Sequence, residues 1–513
     1  MTLAPPRPDA EFLQCTLLES QGRMEEAWAL YRHARTHGTL SPEFALYGAT
    51  MLPAIPASLE EIATWRNRFQ EGIADLQTRF HRLDPATLAT ARSLYYYLAY
   101  HNLDDRSLIE SLGQLFRAKV PELTMRTTHP PTRLRAGQRR LRIGFLSQFF
   151  YHHTIGRLNE GLIQLLDRTR FELVLIHTPH SKKDAFRDHL DALADRVILL
   201  PEGITEQQRV VAAAELDILY YPDIGMSMAS YWLTFARLAP VQAMSWGHPE
   251  TTGVDTMDYF VSSALIEPEG ADERYRERLI RLHRLPCCYL WPVVPGAIPD
   301  RSAYGLPTSG HLYGCPQSLY KLHPEFDAVL AEIVREDPTG HIVLVAADNP
   351  IWQDALRARW NARHPGLAQR VLFLPRMTRT RFIGLMANMD VLLDPIHFGS
   401  GNTFYEAMAI GTPVITWPGE FMRCRIVAGG YRQMGMTDPP VANRVAEYAA
   451  LALSFAQDKP RRRAFQRELA EKRAALFVDA GMVREFETFL TSAVAAAMRG
   501  GKLPGGWQPP RGG

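Results

Sequence analysis

Apolar residues along this chain follow two periods, and the change between them falls near residue 140. Before it the spacing is helical. Leu13, Leu17, Leu18, Met24, Ala27, Leu30 and Tyr31 form two stripes broken at Gln21-Gly22, which predicts one helical hairpin of the tetratricopeptide kind. Ile62, Trp65, Phe69, Ile73, Leu76 and Phe80 predict a helix over Leu59–Phe80, with Ser58 and Glu61 as its capping box. Further helices are predicted over Pro85–Tyr100 and Asp105–Phe116, so that residues 1–125 form an all-helical domain. No self-similarity at the ~34-residue period of a repeat array is visible. Residues 126–140 are proline-rich and basic without apolar periodicity, which predicts a linker with solvated arginines.

Beyond the linker, short apolar runs alternate with helical stretches. Strands are predicted at Leu141–Ser147, Phe171–His177, Val197–Leu200, Asp217–Tyr221, Val241–Trp246, Tyr259–Ser262 and Leu279–Leu282. Ile155–Leu166, Ala185–Ala194 and Gln207–Glu215 carry helix spacing between them. The pattern restarts at His311–Cys315, Ile342–Ala346, Val371–Leu374, Val391–Leu393 and Pro413–Ile415, after a proline-rich connector over 291–308. Buried strands separated by helices imply parallel sheets covered on both faces. The expected class is therefore α/β, with two doubly wound, Rossmann-like halves facing a cleft over 141–290 and 309–499. The second half is expected to carry the terminal helices, and the glycine- and proline-rich tail over 500–513 to be disordered.

Composition narrows the function without naming it. Hydrophobic residues make up 46% and charged residues 22%, close to an ordinary globular chain. Lys plus Arg (57) against Asp plus Glu (55) leaves +2, so a nucleic-acid wrapper is not expected. The N-terminus has no apolar signal core, and no run is long enough to span a membrane. Five cysteines without a C-x-x-C pair predict reduced thiols, no structural zinc and a cytoplasmic location.

In doubly wound sheets, ligands bind beyond the carboxyl ends of the strands, so the loops just after strands carry the chemistry. After Asp394 comes a loop holding His397, Gly399 and Gly401, and a helix begins near Asn402. Free N–H groups at such a helix start attract anions, and the glycines admit a phosphate to the backbone. Thr403 can add a hydroxyl, and Glu406, one turn on, can accept from a ribose diol. The ordinary alternative is a glycine-rich turn capped by Asn402. After Cys315, Gln317, Ser318 and Lys321 stand at a strand end, where a lysine can neutralise a leaving diphosphate. An exposed helix-start lysine is the plain alternative. The first half offers His153 after its first strand, Asp223 after the strand ending at Tyr221, and His248 in Trp246-Gly-His-Pro-Glu. A lone histidine is more often structural, but three polar loops on one rim form a candidate site. Neither a G-x-G-x-x-G nor a P-loop motif is present, against a dinucleotide oxidoreductase or a P-loop NTPase.

The stretches LRIGFLSQFFYHHTIGR, YYPDIG, LAPVQAMSWGHPETTG, MDYFVSS, CPQSLYKLHPEF, RVLFLPRM and DVLLDPIHFGSGNTFYEAMAIGTPVITWPGE follow one another from Leu141 to Gly435. In that order they resemble glycosyltransferase family 41, which groups protein O-linked N-acetylglucosamine transferases, the SPINDLY proteins and HMW1C-type bacterial N-glycosyltransferases. The resemblance is closest to bacterial SPINDLY-like proteins. It implies a GT-B fold and inverting transfer, without a catalytic metal or cofactor, from a nucleotide diphosphate sugar to a polypeptide. UDP-glucose or UDP-N-acetylglucosamine is the implied donor, and Ser, Thr or Asn of an adhesin, flagellin or other surface protein the implied acceptor. No Asp-x-Asp occurs, in agreement.

By the same resemblance, Lys321 meets the donor diphosphate after the polar pair Gln317-Ser318, and Asn402-Thr403 bind phosphate. Glu406 replaces an Asp that holds the ribose, and Phe382 stands where several relatives stack a His on the base. His153 matches the loop histidine beside acceptor and sugar and is the first candidate for the base. Asp223 is the second and His248 a third, on the acceptor side. In the alternative, His153 only packs or binds sugar while a donor phosphate oxygen takes the proton. The helical region resembles the compact domain of the HMW1C type rather than a repeat array. Two other functions stay open at this level: a GT-B enzyme for a glycan or small-molecule acceptor, and a catalytically silent binding module.

Overall fold

The computed structural model describes residues 8–510 except 39, 89–90, 92–93 and 128–138. Seven parallel strands form the first sheet: β1 Leu141–Ser147, β2 Phe171–His177, β3 Arg196–Leu199, β4 Ile218–Tyr221, β5 Val241–Ser245, β6 Tyr259–Ser263 and β7 Arg278–Leu282. Their order is β3-β2-β1-β4-β5-β6-β7. Five more form the second: β8 Leu312–Cys315, β9 His341–Val345, β10 Val371–Leu374, β11 Val391–Leu393 and β12 Val414–Ile415, in the order β10-β9-β8-β11-β12. Both halves are doubly wound, as the alternation implied. Each reverses its strand order once, between β1 and β4 and between β8 and β11, and a crevice opens at such a reversal.

The helical region departs from expectation in two places. The hairpin is present as helices Pro8–Ser20 and Met24–His37, and the capped helix as Leu59–Arg79 with the Ser58 hydroxyl accepting the Glu61 N–H at 3.1 Å. A helix over Pro42–Ala49 went unpredicted although Ser41 caps it and Pro42 starts it. Its eight residues are too few for the apolar period to register. The helix predicted over Pro85–Tyr100 is helical only at Pro85–Leu88, and Tyr96–Tyr100 form a 3-10 turn. That turn splays its tyrosines toward both Rossmann-like halves, contacts that a regular helix lying on its own domain would not make.

The chain's end also differs. Helix Ala480–Met498, expected with the second half, packs on the first sheet: the Phe486 ring lies 5.2 Å from Tyr220, and Phe489 lies 5.4 Å from Tyr259. Its stripe of Val483, Phe486, Phe489, Leu490 and Ala493 is buried there. The tail expected to be disordered is ordered as far as residue 510. The Trp507 carbonyl accepts the Arg281 N–H at 2.9 Å, pairing with β7, and Leu503 N–H donates to the Tyr259 hydroxyl at 2.8 Å. Edge strand β7 offers free backbone groups and Trp507 an apolar ring, and together they outweigh the flexibility of the glycines.

Most of the expected linker lies outside the described residues. At its end, Arg139 forms two hydrogen bonds to Asp217 at 2.7 and 2.8 Å and Arg140 pairs with Asp195, so these arginines are anchored rather than solvated. Among the described residues no helix is long and apolar enough to cross a membrane. All five cysteines are unpaired and buried.

Candidate functional site

The loops after β8 and β11 flank the strand reversal of the second half and are hydrogen-bonded to each other. Lys321 Nζ donates to Gln317 Oε1 and to the Gly399 carbonyl, each at 2.9 Å, and lies 4.9 Å from the Phe398 ring. Gln317 Nε2 donates to the Ser400 hydroxyl at 2.9 Å. Asp394, at the end of β11, accepts the Ser400 N–H at 2.6 Å and the Thr416 hydroxyl at 2.7 Å, which fixes the loop. Burial pushes the Lys321 ammonium down to about 8, opposed by the negative charge of Asp394, and pushes the Asp394 carboxyl up to about 6. The ammonium is thus desolvated but keeps a third donor for a ligand. Beside it, Gln317, Ser318, Tyr320, Asp348, Trp352 and Phe382 are among the residues lining a cavity of about 470 Å³.

Helix Asn402–Ile410 begins at the glycine loop. The Asn402 side chain is committed elsewhere: its Oδ1 accepts from the Tyr289 hydroxyl at 3.0 Å, and its Nδ2 donates to the Thr154 carbonyl at 3.4 Å. Asn402 therefore ties the two halves together, and its backbone end is what it can offer a phosphate. Thr403 beside it is half-buried. Glu406 is buried and accepts from Arg379 Nε at 2.8 Å, with Arg157 of the first half 3.8 Å away. Two guanidinium groups thus meet at one carboxylate between the halves, with Glu160 close enough to both to interact with their charges. The carboxylate expected for a ribose diol is already engaged by these arginines. His397 does not line the cavity; its ring is buried, and its Nε2 lies 2.6 Å from Glu325 Oε2. With His323, these are the one group among the described residues that could hold a metal ion.

On the first half, His153 caps helix Thr154–Leu165. Its Nδ1 accepts the Ile155 N–H at 3.3 Å, and its ring stacks on Phe149 at 4.6 Å. Burial, then the charges of Arg157 and Lys182, hold the imidazole down at about 4. With Nδ1 accepting, the proton of the neutral ring sits on Nε2, which can donate but not accept. Asp223 is fully buried, accepts from the Ser147 hydroxyl at 2.6 Å, and has no partner for Oδ1. His248, expected at the acceptor side, lies beneath the rim. It is 1% exposed, burial pushes it down to about 3, and a Cβ on Gly225 (φ +101°) would stand 2.4 Å from its ring. Above it, the helical domain reaches in: Tyr96 stacks on His248 at 5.0 Å, the Tyr96 hydroxyl meets that of Tyr320 at 2.9 Å, and Tyr100 stacks on Phe398 at 4.5 Å.

A family model described as Glycosyl transferase family 41 matches residues 80–285 and 295–480. The chain belongs to glycosyltransferase family 41. It is 25% identical over 360 residues to a probable UDP-N-acetylglucosamine–peptide N-acetylglucosaminyltransferase, SEC, of Arabidopsis thaliana, covering 67% of this chain and 36% of that protein. It is 26% identical over 260 residues to a UDP-glucose:protein N-beta-glucosyltransferase of Actinobacillus pleuropneumoniae, covering 50% and 40%. The chain thus spans well under half the length of these curated relatives. A solved structure of a Thermobaculum terrenum O-GlcNAc transferase mutant aligns at TM-score 0.69 and 24% identity, covering 97% of this chain and 100% of that one. That likeness establishes the GT-B arrangement of the fold.

Within this family-41 fold, sequence reasoning missed two groups. Arg157 and Arg379 stand on helices of different halves and meet only at Glu406, so no local pattern announces them. Tyr96, Tyr97 and Tyr100 look like helix core, although a run of three tyrosines at 95–97 is a signal that could have been followed.

The buried Asp223 carboxyl makes a separate prediction. Burial raises it to about 7, so the folded state holds a proton that the unfolded chain gives up at ordinary carboxylate pH. The resulting stability is full below the unfolded value and is lost as pH rises toward 7. Asp223→Asn is therefore expected to melt above wild type at alkaline pH and level with it at acid pH. A thermal melt series across pH checks this, and a gap that does not change with pH would refute it.

Proposed function

We propose that this family-41 enzyme transfers a hexose or N-acetylhexosamine from a UDP-sugar to a Ser, Thr or Asn side chain of a polypeptide in the cytoplasm. Transfer inverts the anomeric centre and uses no catalytic metal. The observation that carries the reading is the desolvated Lys321 ammonium, clamped to the glycine loop in front of the helix starting at Asn402 and beside a cavity with room for a nucleoside. Lys321 and the helix N–H groups supply the countercharge that a metal would otherwise bring. The names of the Arabidopsis and Actinobacillus relatives, which specify UDP-sugars and peptide or protein acceptors, support donor and acceptor class. The tyrosines of the helical domain roof the cleft on the acceptor side, as suits an extended chain.

In the reaction, the acceptor oxygen or nitrogen bonds to C1 of the sugar as the C1–O bond to the β-phosphate breaks, its electron pair leaving on the diphosphate. His153, with Nδ1 capping a helix, acts as a donor from Nε2 toward sugar or acceptor rather than as the base. Asp223 is fully buried and held by the Ser147 hydroxyl. The acceptor proton then passes to an oxygen of the departing diphosphate.

The test is a thermal-shift panel of UDP-glucose, UDP-N-acetylglucosamine, UDP-galactose and GDP-fucose, followed by intact-mass analysis of candidate proteins co-expressed with the enzyme. Stabilisation by a UDP-sugar and a hexose-sized mass gain on a polypeptide are expected. Stabilisation without any polypeptide gain, together with transfer to a glycan, would overturn the acceptor assignment. Saturating EDTA is expected to leave transfer unchanged. Loss of activity restored by a divalent ion would contradict the electrostatic reading and point to the group at His323, Glu325 and His397.

A further inference from the structure

Charged side chains from three parts of the chain meet behind the glycine loop. Arg66 and Asp105 come from the helical domain, Glu250 from the loop after β5, and Arg423 from the 3-10 turn Met422–Cys424 after β12. Arg423, Glu250 and Asp105 are buried. One terminal nitrogen of Arg423 pairs with the Glu250 carboxylate. The other donates to the Leu103 carbonyl at 3.0 Å and lies 4.0 Å from Asp105, whose second oxygen Arg66 holds. The guanidinium plane lies 4.0 Å over the Phe421 ring. The main-chain carbonyl of the same Arg423 accepts the Gly399 N–H at 2.8 Å. Its side chain is thus gripped by the first half and the helical domain, while its backbone grips the loop in front of helix Asn402–Ile410.

This arrangement is costly unless it is complete. Burial pushes the Glu250 carboxyl up to about 8 and raises Asp105 too, with Arg423 and Arg66 opposing the rise. A planar fork that reaches two parts of the protein at once is a task for arginine, since a lysine ammonium is a single point. Glu250 also follows His248 by two residues, so its grip on Arg423 holds the segment that stacks on Tyr96.

We propose that Arg423 is a positioning residue for sugar transfer: its ion pair with Glu250 sets the Gly399–Gly401 loop in register with the first half and the helical domain. The role rests on reading that loop as the diphosphate site. Arg423 is not among the residues lining the donor cavity and acts through Gly399.

The test uses Arg423→Lys, Glu250→Gln and the double variant Arg423→Met/Glu250→Met in the full chain, with UDP binding by calorimetry, donor and acceptor KM, kcat and melting temperature. Arg423→Lys is expected to weaken UDP binding and raise donor KM about tenfold, because the loop whose Gly399 N–H its carbonyl accepts is no longer held in place. Glu250→Gln is expected to move the same parameters in the same direction. The double variant keeps the fold but not the register, so its melting temperature should exceed that of Arg423→Lys while UDP binding stays weak. A folded Arg423→Lys that binds UDP within twofold of wild type would overturn the positioning role and leave a purely structural tie. Failure of the wild-type protein itself to bind UDP would overturn the donor-site reading, and this role with it.

Discussion

Lys321→Ala is expected to lower kcat by roughly a hundredfold or more, about 3–4 kcal/mol, the cost of removing an electrostatic stabiliser of a leaving group. The side chain is placed for this. It is desolvated, held by Gln317 and the Gly399 carbonyl, and keeps one N–H for the diphosphate. Its charge is also conditional. Burial lowers the ammonium to about 8, so in the free protein it loses its proton as pH rises through that value. Affinity for UDP should accordingly fall across that range. Lys321→Arg, which stays charged throughout, should remove the pH dependence even if its bulk lowers activity. Steady-state kinetics with calorimetry at several pH values checks both statements. An alanine variant with more than a tenth of wild-type kcat would remove Lys321 from the donor site.

The second large effect is expected at His153. Asparagine is a good helix N-cap, so His153→Asn keeps an acceptor for the Ile155 N–H while deleting the Nε2–H. Transfer should drop about a hundredfold, on the scale of a lost transition-state donor, while hydrolysis of UDP-glucose persists. Burial holds the ring down at about 4, and a donor and a base alike need it neutral, so transfer should be flat from pH 5 to the onset of the Lys321 limb. Unimpaired transfer in the variant would take it out of the site.

Much of this protein was legible in its residues, because the signals are local. Short apolar runs between stretches of helical spacing placed all twelve strands within one residue of their observed ends. Glycines at 399 and 401 before a helix start, and a lysine just after β8, marked the proposed donor side, since a strand end followed by a turn is a feature of a few consecutive residues. What the residues could not reveal is every relation between distant segments. Arg157 and Arg379 share Glu406 across the cleft, Asn402 spends its amide on Thr154 of the other half, and Arg423 joins Gly399 to Glu250 and Leu103. The same holds for the terminal helix, whose apolar stripe was visible but whose partner was not: the hydrophobic effect is non-directional, and only the packed fold shows which sheet face was left to cover. His153 is the sharpest case. Its place in a loop beside a strand end suggested a base, whereas the backbone N–H that its Nδ1 accepts, which bears on its tautomer, is a partner that exists only once the helix has formed.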